Sequence, residues 1–415
     1  MALIVQKFGG TSVANMDRIR NVAQKVKKEL DLGHQVAVVV SAMAGVTNQL
    51  VAYVNEASTL PDKQAWSEYD QVVSTGELVT SGLLALTLQQ MGIPAQSFAG
   101  WQIPLKTDSA HGKARISSID AEAMHAVLKS GKVAVVAGFQ GVGDDGRVTT
   151  LGRGGSDTSA VALAAALGAA RCDIYTDVDG VYTTDPRIVP AARKLGKISY
   201  EEMLELASLG AKVLQTRSVE MAMNHQVMVQ VLSSFEEQTI GSNWPGTLLV
   251  KEEDIVEQKR ITGIAFTRDD ARVTLTGVPD RPGVAAAIFG PLATANINVD
   301  MIVQNVDEIG KVTDMTFTIP KADLDRTMKL LEAEHGNLQY KELTADKNVA
   351  KVSAIGVGMR SHVGIAQDMF KALADKGINI LVISTSEIKI SVLIAEEYTE
   401  LAVRALHAAF ELEKA

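Results

Sequence analysis

The sequence predicts an α/β protein in which a three-layer domain with a mostly parallel sheet is followed by two copies of a smaller α/β module. Two observations carry this prediction. Short β-branched runs alternate with helical segments through about the first 245 residues, an order typical of parallel sheets covered by helices on both faces. Beyond a charged segment at residues 251–260, five residues recur at a spacing of 81 positions, which indicates an internal repeat.

The elements of the first domain follow from residue type and periodicity. Runs of Val, Ile and Ala bounded by glycine or polar residues predict buried strands, and apolar residues three and four apart predict helices. The predicted strands are residues 3–6, 35–40, 95–98, 133–137 and 173–176. The predicted helices are residues 16–30, 48–56, 160–167 and one or two helices within 68–91.

Four residues lie at the predicted carboxyl ends of these strands. They are Lys7, Ser41, Gly138 and Thr176. Ligands of open α/β sheets bind beyond the carboxyl ends of the strands. We therefore expect one functional site at this edge of the sheet.

The remainder of the chain predicts two related modules separated from the first domain by the 251–260 segment. Gly283, Phe289, Leu292, Ile297 and Asn298 match Gly364, Phe370, Leu373, Ile378 and Asn379. The first copy predicts strand 272–277, helix 284–295, strands 297–304 and 312–319, helix 324–335 and strand 338–340. The second copy starts with strand 350–357 and ends on helix 399–410, so it has no last strand. We predict that strand 261–266 fills this gap, which makes the first module an insertion within the second.

Composition excludes several classes of partner and site. The net charge is −9 with no polybasic block, which argues against nucleic acid and anionic membranes. The single cysteine, Cys172, cannot form an internal disulfide and is expected in a buried strand, and no Cys/His cluster has zinc spacing. The N-terminus lacks a signal-peptide pattern and the apolar run 160–170 is too short for a membrane span, so we expect a cytoplasmic protein.

The stretch 149–159 combines Gly152, Gly154 and Gly155 with Arg153 directly before an apolar helix. Ser156 or Asp157 is expected to cap the helix, so that free N–H groups and the positive helix end form an anion site. The guanidinium of an arginine suits a carboxylate or a phosphate. The alternative is a glycine turn that simply enters a buried helix.

Lys7, Gly9 and Gly10 follow the first strand. A lysine facing a Gly-Gly turn suits the transferring phosphate of a nucleotide, although a surface lysine beside a turn is the alternative. Residues 177–187 are rich in Asp and Gly, and could bind Mg²⁺ or ribose, with Tyr182 on a base, or form an ordinary turn.

Glu77 and Arg153 form a complementary pair for a zwitterion, and Lys212 is a second candidate phosphate cation. The alternatives are that Glu77 is a solvated helix residue and that Lys212 is an exposed surface lysine. His111 and His225 have no evident partner, and no Ser–His–Asp or Cys–His arrangement stands out. This inventory favours direct phosphoryl transfer over covalent catalysis.

Several long motifs then identify a family resemblance. Residues 7–12 (KFGGTS), 40–43 (VSAM), 74–77 (STGE), 149–158 (TTLGRGGSDT) and 175–187 (YTDVDGVYTTDPR) resemble the motifs of aspartate kinases. Residues 303–305 and 383–387 resemble the paired ACT domains of that family. The resemblance implies an amino acid kinase fold followed by two ferredoxin-like βαββαβ ACT modules, with boundaries at 1–248, a linker at 249–260, and modules at 261–345 and 346–415. It also implies phosphorylation of the L-aspartate side chain by ATP and Mg²⁺, the first step toward lysine, threonine and methionine.

The resemblance also implies residue roles. The expected catalytic residues are Lys7, Asp157 and Lys212. The expected ATP-binding residues are Lys7, Gly9, Gly10, Ser41, Thr176, Asp177, Tyr182, Asp185, Arg187 and Lys212. The expected aspartate-binding residues are Thr47, Glu77, Arg153, Gly154, Gly155 and Ser156. No protein metal ligand is expected.

In the family, ACT modules bind end-product amino acids and pair between chains, so L-lysine, L-threonine or both are expected effectors of an oligomer. The candidate effector contacts are Asp280, Asn298, Asp300, Gln304, His362, Asn379, Ile380, Ser386 and Glu387. Two alternatives stay open. One is a kinase of the same fold for acetylglutamate, glutamate or carbamate, and the other is a non-catalytic amino-acid sensor.

Overall fold

A computed structural model describes residues 2–210, 213–236, 245–255, 260–306 and 312–414. The chain forms two compact units, and each is described by itself. The first unit comprises Met1–Val181, Lys194–Ser208 and Lys212–Val256. The second unit comprises Tyr182–Arg193, Leu209–Ala211 and Glu257–Ala415.

The first unit alternates strands and helices, and it contains the predicted strands and helices together with further elements that were not predicted. Its strands are β1 (Leu3–Phe8), β2 (Gln35–Val40), β3 (Ala95–Phe98), β4 (Leu105–Thr107), β5 (Ile116–Ile119), β6 (Val133–Ala137), β7 (Gln140–Val142), β8 (Val148–Thr150), β9 (Arg171–Thr176), β10 (Lys197–Ser199), β11 (Val229–Ser233) and β12 (Thr247–Val250). Its helices are α1 (Met16–Asp31), α2 (Val46–Ala57), α3 (Lys63–Val73), α4 (Thr75–Gln90), α5 (Glu122–Lys129), α6 (Gly155–Leu167), α7 (Tyr200–Ser208) and α8 (Thr216–His225).

An eight-stranded sheet runs through the described part of the first unit in the order β10-β12-β11-β9-β1-β2-β6-β3. The strands from β11 to β3 are parallel neighbours. β12 pairs antiparallel with β11 and parallel with β10. The mostly parallel sheet predicted from the alternation of elements is confirmed.

Helices cover both faces of this sheet. Phe8 and alternate residues of β2 and β6 pack against apolar residues of α1 and α4, such as Ile19 and Leu84. Since successive strand residues point to opposite faces, Lys7 points away from that cluster, toward the face on which α6 packs against β1. The strand period therefore directs the Lys7 side chain to α6.

A second, small sheet in the order β5-β4-β7-β8 was not expected from the sequence. Its strands are three or four residues long and contain Ser, Thr, Lys and Gln, so no hydrophobic alternation marks them. They are stabilised by pairing with one another rather than by intrinsic propensity. This sheet leads directly into the 151–154 loop.

The expected cap of α6 is wrong. The helix begins at Gly155 with Gly154 as its N-cap, in the left-handed conformation at φ +71°, and neither Ser156 nor Asp157 caps it. A Cβ at Gly154 would lie 1.9 Å from Cγ of Gln215, so only glycine fits here. Ser156 and Asp157 consequently lie inside the first turn of the helix.

The helical stretch Lys63–Gln90, formed by α3 and α4, is long and apolar enough to cross a membrane by length and composition alone. Half of its most apolar window is buried within the protein, which is what a core helix shows as well. The observation is therefore weak evidence for a span.

The second unit contains the two modules. Its strands are β13 (Gly263–Thr267), β14 (Asp270–Pro279), β15 (Asp300–Val306), β16 (Val312–Pro320), β17 (Glu342–Asp346), β18 (Val349–Ile355), β19 (Val382–Thr385) and β20 (Lys389–Ala395). Its helices are α9 (Val284–Thr294), α10 (Leu324–Ala333), α11 (His335–Leu338), α12 (Ile365–Ala374) and α13 (Thr399–Ala409).

The two module sheets have equivalent strand orders. The first runs β15-β16-β14-β17 and the second β13-β18-β20-β19. β13 pairs antiparallel with β18, which is the place that β17 occupies beside β14 in the first module. The first module thus lies, in sequence, between two strands of the second.

One predicted strand of the first module is misplaced. Residues 338–340 do not form a strand, because α11 ends at Leu338 and Gln339 is left-handed at φ +54°. The last strand is Glu342–Asp346 instead. Leu338 and Tyr340 are buried in the module core, so their apolar character reflects packing at a helix end.

The segment Tyr182–Arg193 packs on the second module. Ile188, Val189 and Ala192 join its apolar core. The N–H of Ile264 donates to the Thr183 carbonyl at 2.7 Å, and the Thr183 hydroxyl lies 3.0 Å from Nε2 of His407 on α13. Residues that follow β9 in sequence therefore belong, by packing, to the second unit.

The two modules share apolar and ionic contacts. Met301 of β15 packs with Val349, Val382 and Leu393. The buried Lys351 of β18 places Nζ 2.6 Å from Asp300 and 3.0 Å from Asp270. Burial opposes the charge of Lys351, but the two carboxylates outweigh it and raise its pKa.

Candidate active site

The loops that follow four adjacent parallel strands are joined at the carboxyl edge of the first unit's large sheet. The N–H of Gly9 donates to Tyr175 at 3.2 Å, that of Ser41 to Phe8 at 3.1 Å, and that of Gly138 to Val40 at 3.0 Å. Lys7, Ser41, Gly138 and Thr176 accordingly lie along one edge. Backbone hydrogen bonds connect the loops at this edge, which makes it a candidate ligand site.

Lys7 and Asp157 form the central ion pair of this edge. Lys7 Nζ lies 2.5 Å from Asp157 Oδ1, and the two side chains are only 9% and 11% exposed. Lys7 comes from β1 and Asp157 from the first turn of α6. The carboxylate holds the ammonium in place while the remaining N–H groups of the lysine stay available to an anion.

The Gly9-Gly10 turn lies directly against this ion pair. A Cβ at Gly9 would come within 3.4 Å of Lys7 Nζ, and one at Gly10 within 3.1 Å of the Ala42 carbonyl. A Cβ at Gly9 would therefore be in contact with the lysine. The glycine turn leaves room for a ligand to approach the backbone closely.

Glu77 is buried at 3% exposure in the first turn of α4. Its Oε1 accepts from the Ala42 N–H at 3.0 Å, whereas Oε2 has no hydrogen-bond partner among the described residues. Burial raises the pKa of the Glu77 carboxyl to about 7. Such an orphaned oxygen is suited to a ligand that brings a cation or a donor.

Gly76 explains how Glu77 reaches this position. A Cβ at Gly76 would lie 2.7 Å from the Cβ of Ala42 and 3.3 Å from Val46. The glycine lets α4 approach the loop after β2 closely enough for the Glu77–Ala42 hydrogen bond. The Ala42 amide was not singled out from the sequence, because a backbone donor carries no sequence signal.

The start of α6 presents backbone donors. The N–H groups of Ser156 and Asp157 have no backbone acceptor among the described residues, as expected in a first helical turn. Ser156 is buried against Gly138, where any Cβ would meet it at 2.9 Å. These donors and the positive helix end favour an anion.

Arg153 is exposed and makes no hydrogen bond or ion pair with the part of the chain that the structure describes. It lies between Gly152 and Gly154, both in the left-handed conformation at φ +76° and +71°. Thr47 is half-buried in the first turn of α2. Both side chains are thus accessible to a ligand.

The remaining expected nucleotide residues fall into three groups. Thr176 ends β9 and its hydroxyl donates to the exposed Asp177 at 3.1 Å in the first unit. Tyr182, Asp185 and Arg187 belong to the second unit. Lys212 lies outside the described residues.

Asp185 and Arg187 form an ion pair, with Arg187 Nη2 lying 2.7 Å from Asp185 Oδ2. The hydrogen bonds from Arg187 lower the pKa of Asp185. Tyr182 is half-buried at the start of the same segment.

The candidate effector residues lie at the strand and helix ends of the modules. Asp280 follows β14, Asn298 precedes β15, and Gln304 is exposed on it. β15 begins at Asp300, a little later than the predicted start at residue 297, and β19 begins at Val382. Asp300 forms an ion pair with Lys351.

In the second module His362 Nδ1 lies 2.7 Å from the Gly358 carbonyl, and Glu387 pairs with Arg360 at 3.3 Å. Ser386 donates its N–H to the Lys389 carbonyl at 2.8 Å, and Asn379 and Ile380 precede β19.

One buried pair was missed by sequence reasoning. His111, taken to have no evident partner, places Nδ1 2.7 Å from Oδ2 of the fully buried Asp70. The two residues are 41 positions apart, so no local pattern connects them. Cys172 is buried in β9 as expected, and burial raises the pKa of its thiol well above the ordinary value.

Within the described residues no group of three or more His, Cys, Asp or Glu side chains is placed to hold a metal ion. The donor set of this edge, with one ammonium, one guanidinium and backbone N–H groups, suits anionic ligands.

Comparison with known proteins agrees with this geometry. The sequence model of the Amino acid kinase family matches residues 2–233, and ACT domain models match residues 272–336 and 352–410. The aspartokinase of Pseudomonas aeruginosa is 57% identical over 415 residues, covering 100% of this chain and 98% of the relative. The chain belongs to the aspartokinase family. Aspartokinase 2 of Bacillus subtilis is 47% identical over 414 residues, covering 100% of this chain and 99% of the relative.

Solved aspartokinase structures have the same fold. E. coli aspartokinase III in complex with aspartate and ADP (R-state) superimposes with a TM-score of 0.81 at 29% identity, over 98% of this chain and 99% of that one. The same enzyme in complex with lysine and aspartate (T-state) superimposes with a TM-score of 0.77 at 29% identity, again over 98% and 99%. The predicted architecture of an amino acid kinase domain followed by two ACT modules is confirmed.

Proposed function

We propose that this aspartokinase transfers the γ-phosphoryl group of ATP to the side-chain carboxylate of L-aspartate, giving 4-phospho-L-aspartate and ADP. The observation that carries this proposal is the Lys7–Asp157 pair between the Gly9-Gly10 turn and the start of α6. It combines a fixed cation with backbone hydrogen-bond donors. Such groups stabilise the negative charge of the transition state in phosphoryl transfer.

Aspartate is held as a zwitterion. Its ammonium group is received by Glu77, whose buried Oε2 is unpartnered among the described residues. One of its carboxylates is received by the exposed Arg153 guanidinium, in the bidentate manner that arginine favours. Thr47, Gly154, Gly155 and Ser156 complete the substrate-binding side.

We propose that ATP is held by a second set of residues. Lys7, Gly9 and Gly10 contact its phosphates, and Ser41, Thr176 and Asp177 line the same edge. Tyr182, Asp185, Arg187 and Lys212 are proposed to hold the rest of the nucleotide. Asp157 orients Lys7, and Lys212 is proposed as a second phosphate cation.

The reaction is an in-line displacement. An aspartate carboxylate oxygen forms a bond to Pγ while the bond from Pγ to the bridging oxygen of ADP breaks, and the electron pair remains on ADP. A carboxylate is ionised at pH 7, so no general base is needed. Lys7 and the α6 N–H groups stabilise the charge that spreads over the transferring oxygens.

Mg²⁺ accompanies ATP and neutralises part of the phosphate charge. We propose no set of protein ligands for it. The role of the chain toward the metal is to orient the phosphates that carry it.

We further propose that the ACT modules bind L-lysine, L-threonine or both at the effector residues named above, and that the modules join chains into an oligomer. The proposed domains are 1–248, a linker at 249–260, and modules at 261–345 and 346–415, with β13 completing the second. We propose a cytoplasmic location and a role in the synthesis of lysine, threonine and methionine. Differential affinity of an effector for two arrangements of the protein would account for feedback control.

Hydroxylamine trapping tests the reaction, because acyl phosphates form hydroxamates. The chain is incubated with ATP, MgCl₂ and hydroxylamine plus aspartate, glutamate, acetylglutamate or carbamate, with an ATP-free control. Hydroxamate with aspartate alone is expected. Product with another acid, or none, would refute the proposed substrate.

The effector proposal is tested separately in the same assay with lysine and threonine, singly and together. A lower rate with at least one amino acid is expected. An unchanged rate in all three mixtures would remove the regulatory proposal and leave the catalytic one intact.

A further inference from the structure

Asp70 is a carboxylate on α3 with 0% exposure, outside the residues assigned above. It accepts hydrogen bonds from the Thr150 hydroxyl, from His111 Nδ1 at 2.7 Å, and from the Gly112 N–H at 3.0 Å to Oδ1 and 3.1 Å to Oδ2. Burial raises its pKa, and these hydrogen bonds oppose the rise. A buried carboxylate is costly unless it is fully hydrogen-bonded, so these donors are held in place by it.

The donors come from two segments that meet at the base of the Arg153 loop. Thr150 ends β8, three residues before Arg153. The Ala114 N–H donates to the Thr150 carbonyl at 2.9 Å. Gly152 packs so closely that a Cβ there would lie 3.1 Å from the Gly112 carbonyl. Asp70 therefore joins residues 111–114 to residues 150–152.

A second anchor completes the arrangement. Arg217 donates to the carbonyls of Leu151 at 2.5 Å and Ala114 at 2.9 Å. The backbone on the N-terminal side of Arg153 is thus held from both α3 and α8. The Arg153 side chain itself has no hydrogen bond within the described residues, so its position depends on this backbone.

We propose that Asp70, with His111 as its partner, is a positioning residue that holds the 150–152 backbone and thereby sets Arg153 for the substrate carboxylate. This inference rests on the proposed role of Arg153 in binding aspartate. Asp70 acts through Thr150 and Gly112 rather than on the substrate. Loss of the Asp70 carboxylate should weaken aspartate binding more than ATP binding.

The test compares steady-state kinetics of full-length variants. Asp70→Ala removes the acceptor of three residues, and we expect KM for aspartate to rise roughly tenfold or more with KM for ATP within about twofold. Glu68→Ala is the matched control, because Glu68 lies on the same helix but pairs with Arg147 at the surface. It should leave both KM values unchanged.

Asp70→Asn is the conservative variant. Its oxygen keeps the Thr150 and Gly112 hydrogen bonds, and its amide can donate to Nδ1 of the other His111 tautomer. We expect it to recover most of the aspartate affinity. Thr150→Val removes a single donor at nearly constant volume, and should raise KM for aspartate about threefold. If Asp70→Ala does not fold, Thr150→Val tests the positioning role in its place.

Arg153→Ala separates the two ways in which the inference can fail. If it leaves KM for aspartate unchanged, the proposed role of Arg153 is wrong and the inference falls with it. If it raises KM while Asp70→Ala and Thr150→Val do not, only the positioning role is overturned. Equal rises in both KM values, or a lower melting temperature alone, would likewise reduce Asp70 to a structural residue.

Discussion

Lys7 and Asp157 meet with Nζ 2.5 Å from Oδ1, and both side chains are about nine-tenths buried. The pair joins the end of the sheet's central strand to the first turn of the helix that packs on it. Neither residue is replaceable alone, because removing one leaves the other charge buried and unpaired. The pair therefore links catalysis to local stability.

We predict that Lys7→Met lowers kcat by at least about 10²-fold, since a fixed cation next to the transferring phosphate is lost. Aspartate affinity, measured by calorimetry, should change less than about twofold. The double variant Lys7→Met/Asp157→Asn should recover melting temperature but not turnover. Lys27→Ala, an exposed lysine paired with Asp31, is the control. A loss of kcat below tenfold would contradict the assignment.

Glu77 predicts a pH dependence of substrate binding. Its pKa is raised by burial to about 7, and only the ionised form suits the substrate ammonium. KM for aspartate should therefore rise as pH falls below 7, by up to about tenfold per unit, while KM for ATP does not. Glu77→Gln should bind aspartate weakly at every pH. An equally steep profile in that variant would assign the titration elsewhere.

The raised pKa of Glu77 also makes the free energy of unfolding depend on pH. The folded-state pKa of Glu77 lies above its ordinary value of 4.5. As pH rises, Glu77 therefore ionises at a lower pH in the unfolded chain than in the folded protein. The ligand-free protein should lose stability from Glu77 between about pH 4.5 and 7, and Glu77→Gln should not. Melting temperatures with and without saturating aspartate measure this, because the ligand restores the ionised form.

Gly154 predicts a steric effect at the start of α6. In Gly154→Ala the Cβ would lie 1.9 Å from Gln215 Cγ and the residue would stay at φ +71°. We expect a loss of more than about 3 kcal/mol in unfolding free energy, from left-handed strain plus overpacking. Gly168→Ala is the matched control, left-handed at φ +61° with open space around its Cβ, and should lose only about 1–2 kcal/mol.

Gln215→Ala in the Gly154→Ala background should recover the steric part of that loss, as measured by denaturant unfolding. Equal losses in the two single glycine variants would show that the Gln215 contact is unimportant.

His407 predicts acid sensitivity of the second unit. The ring is buried against the Thr183 hydroxyl, and desolvation lowers its pKa from 6.5. Because the folded pKa lies below the unfolded one, the stability contribution is complete above about pH 6.5 and is lost as pH falls below it. The protection factors of residues 182–193, which compare hydrogen exchange with the intrinsic rate at the same pH, should fall at pH 5.5 in the native chain, and His407→Gln should remove most of that fall. Identical profiles would rule out His407 as the titrating group.

Much of the fold was determined by the sequence alone, because its signals are local. The β-branched runs of β1, β2 and β6 and the apolar periodicity of α1 are properties of a few consecutive residues. The 81-residue repeat likewise predicts two modules, because it is a property of the sequence alone. The motifs around Lys7 and Arg153 identified the family, since several long motifs occur in order along the whole chain.

Only the tertiary structure decided features that depend on residues far apart in sequence. The strands β4, β5, β7 and β8 exist because they pair with one another, and Gln215 fills the space beside Gly154 at the start of α6. The orphaned Glu77 oxygen and the Asp70–His111 pair arise from burial, which no single segment encodes. Residues 182–193 belong to the second unit because their apolar side chains pack against residues that are far away in sequence. No local pattern predicts that packing.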